Sequence, residues 1–401
     1  MKRTLRYHFL ARLYRIPSFF SNGMLHIYSF LLLVSTFLWM AWPYNSGPDI
    51  TIQKGVGGIR MLFPDRHKPA PDEIIFVDVS KSKQLVPLNE DSTENDVITS
   101  RKDLTELFRL LAAGQNQVKY ILCDVHFDIS TPNDSALILS IAGLKDKFLG
   151  IDVYAGDSLN KNIADIRSAT ASVYLQKNMV YKIPYFGSYN DTLVHFKMYT
   201  DLDMGNVRKN ILFTWFAGKG IAFNNQINNY PLRSSDFTGG GYVKIGLDEL
   251  ISAMKSSPEA AGRYLQNRYV LIGDFENDRH LTYLNMQPGT LILFNAYLHL
   301  HLNRQLLPAA YLILLYIFLY WMVWLQAGKK RHHLKFTLKI KFFEPFKIPV
   351  NILSVSFLLL AFSCLSSLLF NVNISIFHLI TIFSLVDFVR FIWNKRIKTT
   401  Q

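Results

Sequence analysis

The chain has 401 residues, of which 18% are charged, 50% hydrophobic and 14% aromatic. It is too apolar for a disordered chain and too charged for a membrane bundle throughout, so a mixed protein is expected. The formal charge of +13, from 43 basic and 30 acidic residues, would suit nucleic acid only if the excess lay on a folded soluble surface. Two cysteines, Cys123 and Cys364, cannot supply a disulfide framework or a four-ligand zinc site.

Residues 1–24 carry Lys2, Arg3, Arg6, Arg12 and Arg15 and no acid. They read as cytoplasmic retention charge or as an amphipathic helix lying on anionic lipid. The first apolar segment, Leu25 to Trp42, is followed by no small-x-small cleavage site, which points to an uncleaved anchor. Three further segments approach the roughly 20 apolar residues that cross a bilayer: Leu306 to Leu325, Val350 to Phe370, and Ile374 to Phe391. The last two are separated only by Asn371, Val372 and Asn373, the expected turn of a helical hairpin.

Basic residues orient these segments. The amino terminus, the loop from Lys329 to Lys347 and the tail after the last segment hold 15 basic residues and one acid, Glu344, whereas residues 44–306 hold 27 basic and 28 acidic residues. The excess is therefore topological and gives no reason to expect nucleic acid. The expected layout is a cytoplasmic amino terminus at 1–24, spans at 25–43, 306–327, 349–370 and 374–393, an extracytoplasmic domain at 44–305, a basic cytoplasmic loop at 328–348 and a cytoplasmic tail at 394–401.

Within the outer region, Glu73 to Val79 (EIIFVDV) reads as a buried strand. Ser100 is a candidate amino cap with Asp103 three residues on, and Leu104, Leu107, Phe108, Leu110 and Leu111 make an apolar helical stripe ending near Gly114. Tyr120 to Val125 is a second strand, Asp134 to Ala142 a helix and Phe148 to Val153 a third strand. An amphipathic helix from Asp248 to Tyr264 precedes a further strand, Tyr269 to Gly273. Alternating strands and helices predict an α/β domain with a largely parallel sheet and covering helices. Between 160 and 245, short β-like runs such as Met179 to Ile183 and Leu193 to Tyr199 alternate with Gly and Asn turns and give no topology.

Five stretches carry a resemblance: IIFVDVS at 74–80, YILCDVHFD at 120–128 with NDSALILSI at 133–141, DLDMGNVRKN at 201–210, RYVLIGDFEND at 268–278, and PGTLILFNAYLHLHLNRQLL at 288–307. In this order, between one anchor and a set of helices, they resemble the CHASE2 domain, a sensory module of bacterial receptors. The resemblance implies a periplasmic domain on the bacterial inner membrane that takes part in signal transduction. Two departures stand out. Asp278 is followed by Arg279, His280, Leu281, Thr282 and Tyr283 where the family usually has a Thr-Pro pair, and no kinase or cyclase output follows the last segment.

In an open parallel sheet, ligands bind beyond the carboxyl ends of strands. Asp78, Asp124, Asp152 and Asp274 occupy or follow such ends, with Asp128 and Asp278 one short loop further. Converging there, they would hold Ca²⁺, Mg²⁺ or a cationic ligand; otherwise they cap helices and bond loop amides. His126, between Asp124 and Asp128, would share their face on a strand and could do acid/base work or bind metal. Asp201, Asp203, Gly205 and Arg208 suggest a structural turn with Arg208 paired to an Asp, since a calcium loop would need a terminal bidentate acid. Gly239, Gly240 and Gly241 lack a following Lys and Ser and read as a hinge, not a phosphate loop. His299 and His301 diverge on the helix expected there. Asn295 to Arg304, running into Pro308, is the expected mechanical link to the membrane, and Asp387 with Arg390 an i,i+3 pair near the inner boundary.

These readings predict a non-enzymatic membrane sensor or accessory receptor subunit that binds a small ligand or partner protein and acts through its helices on a separate output protein. The rival is an assembly subunit of an envelope complex, with the α/β domain as docking platform. A hydrolase is disfavoured, because no nucleophile and base are recognisable. The basic loop is suited to anionic lipid or an acidic partner, and a homo-oligomer is compatible with either reading.

Overall fold

The structure is a computed structural model and describes residues 18–42, 47–61, 68–87, 94–113, 118–155, 158–160, 166–176, 178–187, 191–203, 206–228, 230–238, 241–327, 350–370, 372 and 374–385. The arm 1–17, Gly205, Gly239, Gly240, the loop 328–349, Asp387, Arg390 and the tail lie outside the described residues. The chain divides into two compact units, one formed by 1–56 with 307–401, the other by 57–306.

The first unit contains α1 (Ser18–Ala41), most of α2 (Gly47–Met61) and three later helices described below. In the second unit follow β1 (Ile74–Asp78), the hairpin β2 (Lys83–Pro87) and β3 (Asn95–Thr99), α3 (Arg101–Ala113), β4 (Tyr120–Asp124), α4 (Asp134–Ala142), β5 (Phe148–Ala155), β6 (Ser158–Asn160) and β7 (Ser168–Ala171). Then come β8 (Tyr174–Gln176), β9 (Met179–Pro184), α5 (Val194–Leu202), β10 (Val207–Lys209), β11 (Phe213–Phe216), β12 (Gly220–Phe223), β13 (Asn225–Ile227) and β14 (Val243–Gly246). The unit ends with α6 (Leu247–Ser256), α7 (Pro258–Leu265), β15 (Tyr269–Gly273), β16 (Arg279–Leu281), β17 (Met286–Pro288) and α8 (Gly289–His301).

The main sheet has the order β14-β1-β15-β4-β5-β6, with β7 also beside β5. Its pairs are parallel except β5 with β6. The sheet is parallel because its strands are joined by helical crossovers. β1 to β4, β4 to β5 and β14 to β15 all progress in one direction along it, and right-handed connections then place their helices on one face. That is the observed arrangement. Ile75, Val77, Ile121, Cys123, Val270 and Ile272 pack with Leu107 and Phe108 of α3, Leu137 of α4 and Leu250 of α6. Ile74, Phe76, Tyr120, Leu122 and Leu271 face the other way, against Val194 and Met198 of α5 and Leu291, Phe294 and Leu298 of α8. β1 and β15 are buried along their whole length, as a sheet covered on both faces requires.

Two elements differ from the sequence reading. The run Leu193 to Tyr199 is not a strand; Val194 begins helix α5, whose buried Val194, His195, Phe196, Met198 and Tyr199 fit two adjoining sides of a helix as well as an alternating strand. The helix expected over 248–264 is two helices, because Pro258 cannot donate a backbone hydrogen bond and instead starts α7. The Ser100 cap is present: its hydroxyl accepts the Asp103 backbone N–H at 3.3 Å.

In the first unit, α9 (Ala309–Ala327), α10 (Val350–Phe370) and α11 (Ile376–Leu385) join α1 and the start of α2. Among the described residues, one helix, Gly23–Ala41, is long and apolar enough to cross a membrane, and shorter apolar helices occupy Ala309–Leu325, Ser356–Phe370 and Ile376–Leu385. The interior mixes apolar side chains such as Leu32, Leu315, Leu319 and Leu359 with several polar ones, and large apolar side chains cover the outside. Ser29, Thr36, Asp49, Gln53, Ser363, Ser367 and Ser375 are buried, while Phe30, Leu31, Leu38, Ile313, Ile317, Phe357, Leu369 and Phe377 are exposed. His378 bonds Ser35 at 2.8 Å and stacks on Trp39 at 4.7 Å, and Phe318 stacks on Phe362 at 3.8 Å.

Candidate functional site

After β4 the chain crosses to the face covered by α4; after β15 it crosses to the opposite face, covered by α8. Adjacent parallel strands whose connections diverge in this way leave a crevice at their carboxyl ends. Asp124 terminates β4 there, and the loop after β15 brings in Asp278 and His280.

The floor of the crevice is the first turn of α8. The Thr290 hydroxyl donates to Asp124 Oδ2 at 2.9 Å, and the Gly289 backbone N–H donates to the Asp278 carbonyl at 3.0 Å. A side chain at Gly289 would overlap Asp278 Oδ2 and lie 3.1 Å from Asp124 Oδ2, so both carboxylates rest against this glycine. Gly273 has a similar role, since a Cβ there would strike the buried Thr290 hydroxyl. His280 Nε2 lies 2.9 Å from Asp278 Oδ1.

These neighbours separate the protonation states. Burial first, then the negative Asp278, push the Asp124 carboxyl up to about 7, against the opposing Thr290 hydrogen bond and nearby His280. His280 is raised by its bond to Asp278, which outweighs its burial. The crevice thus combines an acid poised near neutrality, a carboxylate and an imidazole at the amino end of a helix whose residues Gly289 to Leu300 are all buried. It can exchange a proton or receive a cationic group, and either event acts on the start of α8.

The other expected site residues are distributed differently. Asp78 and Asp274 do lie beside Asp124 at neighbouring strand ends, but each is already neutralised. Asp78 Oδ2 accepts Lys244 Nζ at 2.8 Å, and its Oδ1 accepts the Ser80 and Phe275 backbone N–H groups. Burial would raise this acid, but Lys244 and Ser80 hold it below the usual carboxylate range. Asp274 accepts Lys83 Nζ at 2.7 Å and the Asn277 backbone N–H at 2.8 Å, which together outweigh its burial and lower its pKa. Asp152 lies within β5, which runs on to Ala155, and accepts the Ser168 hydroxyl at 2.6 Å in a separate cavity. Among the described residues no group of three His, Cys, Asp or Glu side chains is arranged to hold a metal ion. The expected convergence on a divalent cation is therefore corrected: two of the acids are paired with lysines and a third points elsewhere.

His126 and Asp128 are past the end of β4, so the three-residue strand face expected with Asp124 does not form; His126 Nδ1 is 3.5 Å from Asp128 Oδ2. The expected pairing of Arg208 with an Asp is also corrected. Asp201 lies in α5, one helical turn from Lys197, and binds Lys197 Nζ at 2.7 Å, Arg167 and the Tyr120 hydroxyl at 2.7 Å. Asp203 closes α5 and binds His301 of α8 at 2.9 Å. Arg208 is on β10. His299 and His301 are on one helix, His299 buried and His301 partly exposed. Pro308 immediately precedes α9.

Gly289, Thr290 and His280 carry the crevice but were not singled out as site residues. Pro288-Gly289-Thr290, immediately before an apolar helical run, is the signal that would have found two of them: a proline fixing the entry, a glycine allowing close approach and a hydroxyl in the first turn. Comparison with protein-family models, with curated proteins and with solved structures finds no match.

Proposed function

We propose that the chain is a non-enzymatic integral membrane sensor or accessory receptor subunit. In this reading, four helices cross the bacterial inner membrane, the α/β unit faces the outside, and the crevice of Asp124, Asp278 and His280 receives a small ligand or a partner's cationic group. The carrying observation is continuity: the crevice is built on the first turn of α8, and the chain runs from α8 through only seven residues, 302–308, into α9. The CHASE2 resemblance and the distribution of Lys and Arg support the reading. So do the large apolar side chains exposed on the outside of the first unit, which suit lipid as solvent. Output would pass to a separate protein that meets the helices or the basic loop 328–348.

A second reading, an assembly subunit, is favoured by one observation. On the hairpin of β2 and β3, outside the main sheet, Leu85 and Val97 are cross-strand partners that are 70% and 59% exposed. Such a pair suits a protein contact.

The test is hydrogen exchange of the full chain in nanodiscs, comparing wild type with Asp124→Asn. A sensor routed through the crevice gives altered protection over 289–308 and into α9. Unchanged protection there, with exchange altered only at the β2–β3 hairpin on adding membrane extract, would favour the assembly role.

A further inference from the structure

The small antiparallel sheet of β10, β11 and β12 has two unlike faces. Thr214, Phe216 and Ala222 point inward and are buried. On the outer face Arg208, Trp215 and Ile221 lie side by side across the three strands. Arg208 is exposed, and Trp215 is 55% exposed.

The charge around this face has one sign. Residues 204–223 contain Arg208, Lys209 and Lys219 and no acid. Lys219 Nζ donates to the Tyr199 hydroxyl at 3.1 Å, a neutral acceptor, and among the described residues neither Lys219 nor Arg208 is cancelled by an acid. Asp203, the acid that precedes this stretch, is held by His301 at 2.9 Å. Basic groups around an exposed indole fit anionic phospholipid, because Lys and Arg meet the phosphates while Trp takes the boundary between headgroups and acyl chains.

The place of this sheet in the chain points to the same partner. Gly220, the first residue of β12, packs on Leu306: a Cβ added at Gly220 would lie 3.9 Å from Leu306 Cδ2. Only Leu307 and Pro308 then separate Leu306 from α9. Fully extended, the three steps from Leu306 to Ala309 cover about 10 Å. The headgroup layer is itself roughly 5–8 Å deep on each side of a bilayer. So short a tether keeps the β11–β12 turn, with Lys219, Trp215 and Arg208, within side-chain reach of the leaflet that α9 enters.

We propose that the outer face of β10–β12 docks on that leaflet, with Arg208 and Lys219 on anionic phospholipid headgroups and Trp215 at their boundary with the acyl chains. The inference rests on the reading that α9 crosses a bilayer and is independent of the crevice.

The experiment places a nitroxide label at Ala217→Cys, exposed in the β11–β12 turn, in a Cys364→Ser chain; Cys123 is fully buried and does not react. The full chain sits in nanodiscs of phosphatidylcholine and phosphatidylglycerol in equal parts. Collisions of the label with oxygen, which favours lipid, are compared with those of a neutral nickel chelate, which stays in water. Reference labels at Ile317→Cys of α9 and Leu85→Cys of the β2–β3 hairpin, positions 60% and 70% exposed, define lipid and water. The Ala217 label is shielded from nickel relative to the Leu85 label. Nickel access rises by about fivefold in Arg208→Ser, the weight of one basic residue at an anionic surface. It rises at least as far in discs of phosphatidylcholine alone, an arm that needs no further substitution, and Trp215→Ser acts in the same direction. If the Ala217 label meets nickel as freely as the Leu85 label while the Ile317 label is in lipid, the docking is overturned and the membrane reading stands. If the Ile317 label itself meets nickel freely, the membrane reading fails and the docking falls with it. Shielding that persists unchanged in Arg208→Ser and in phosphatidylcholine alone comes from protein and also overturns the proposal.

Discussion

The Thr290 hydroxyl, fully buried in the first turn of α8, donates its hydrogen bond to Asp124 at the end of β4, 166 residues earlier. This contact fastens a helix on one face of the sheet to the carboxyl end of a central strand. It also ties the position of α8 to the charge on Asp124, because burial and Asp278 make that charge unfavourable near neutrality.

A pH dependence follows, with a definite sign. The folded pKa of about 7 lies well above that of an ordinary aspartate, so the folded state holds the extra proton. The stability linked to Asp124 is fully present below about pH 4 and is lost as the pH rises through 7. Asp124→Asn removes the ionisation while keeping an acceptor for Thr290. The variant should be more stable than wild type at pH 8 by about 1–2 kcal/mol, a value discounted for partial solvent access, and the gain should vanish near pH 4. Melting temperatures across that range test this; an equal difference at both ends would assign the effect to packing.

The two glycines around Thr290 should respond unequally to alanine. At Gly273 the added methyl meets a buried Thr290 that cannot retreat, and overpacking of this kind costs about 1–3 kcal/mol. At Gly289 it meets carboxylate ends, which can rotate, so Gly289→Ala should destabilise less but move Asp278 away from Asp124. The expected signature is a lower Tm for Gly273→Ala and a lowered Asp124 pKa for Gly289→Ala, read by carboxylate-resolved infrared titration. Equal loss of Tm with no titration shift would contradict this account.

The central strands were legible because a sheet covered on both faces demands uninterrupted apolar runs, and IIFVD, YILCD and YVLIG are such runs. The start of α3 was legible from Ser100 and Asp103 for a local reason, the side-chain cap. The strand order was not legible. β15 enters between β1 and β4 although 145 residues separate it from Asp124, and no local pattern encodes that pairing. The site suffered from the same non-locality. Lys244, which neutralises Asp78, belongs to β14 at the edge of the 160–245 region whose short, alternating runs gave no topology. The misreading of α5 has a different cause: apolar residues at 194, 196 and 198 satisfy the period of a strand, and the buried His195 that breaks the alternation is polar.

Lys244 supplies the third prediction. Its ammonium is 2.8 Å from Asp78, which is only 8% exposed. Lys244→Met leaves that carboxylate buried without its counter-ion, a loss of about 1–3 kcal/mol at pH 7. Because the folded pKa of Asp78 is depressed, its contribution is present above the unfolded value and is lost as the pH falls through the folded one. The variant and wild type should therefore converge in stability in acid, once Asp78 is protonated in the folded state. Denaturant titrations at pH 7 and in acid measure this, and a gap that persists in acid would show that the Lys244 stem, not its charge, is what matters.

Asp49 supplies the last. It is fully buried in the first turn of α2, and both its oxygens are used: Oδ2 accepts the Ser375 hydroxyl at 2.7 Å and Oδ1 the Ile376 backbone N–H at 3.0 Å. Ser375 in turn accepts the His378 backbone N–H at 3.2 Å, so the start of α11 is capped by its own serine and by a carboxylate from a segment 326 residues away. A negative group at a helix amino terminus meets both the free N–H donors and the positive end of the helix dipole. Asp49→Ala removes these acceptors and leaves a buried N–H and hydroxyl without them, which costs about 2–4 kcal/mol as two unmet donors. Asp49→Asn keeps the acceptor oxygen but loses the charge, and should cost about half as much if the dipole and the charge-assisted bonds contribute as expected. Proteolysis of the detergent-solubilised chain should then open the segment around 371–376 in Asp49→Ala first, in Asp49→Asn later and in wild type last. Identical cleavage of all three would show that packing of α10 and α11 alone fixes this end of the unit.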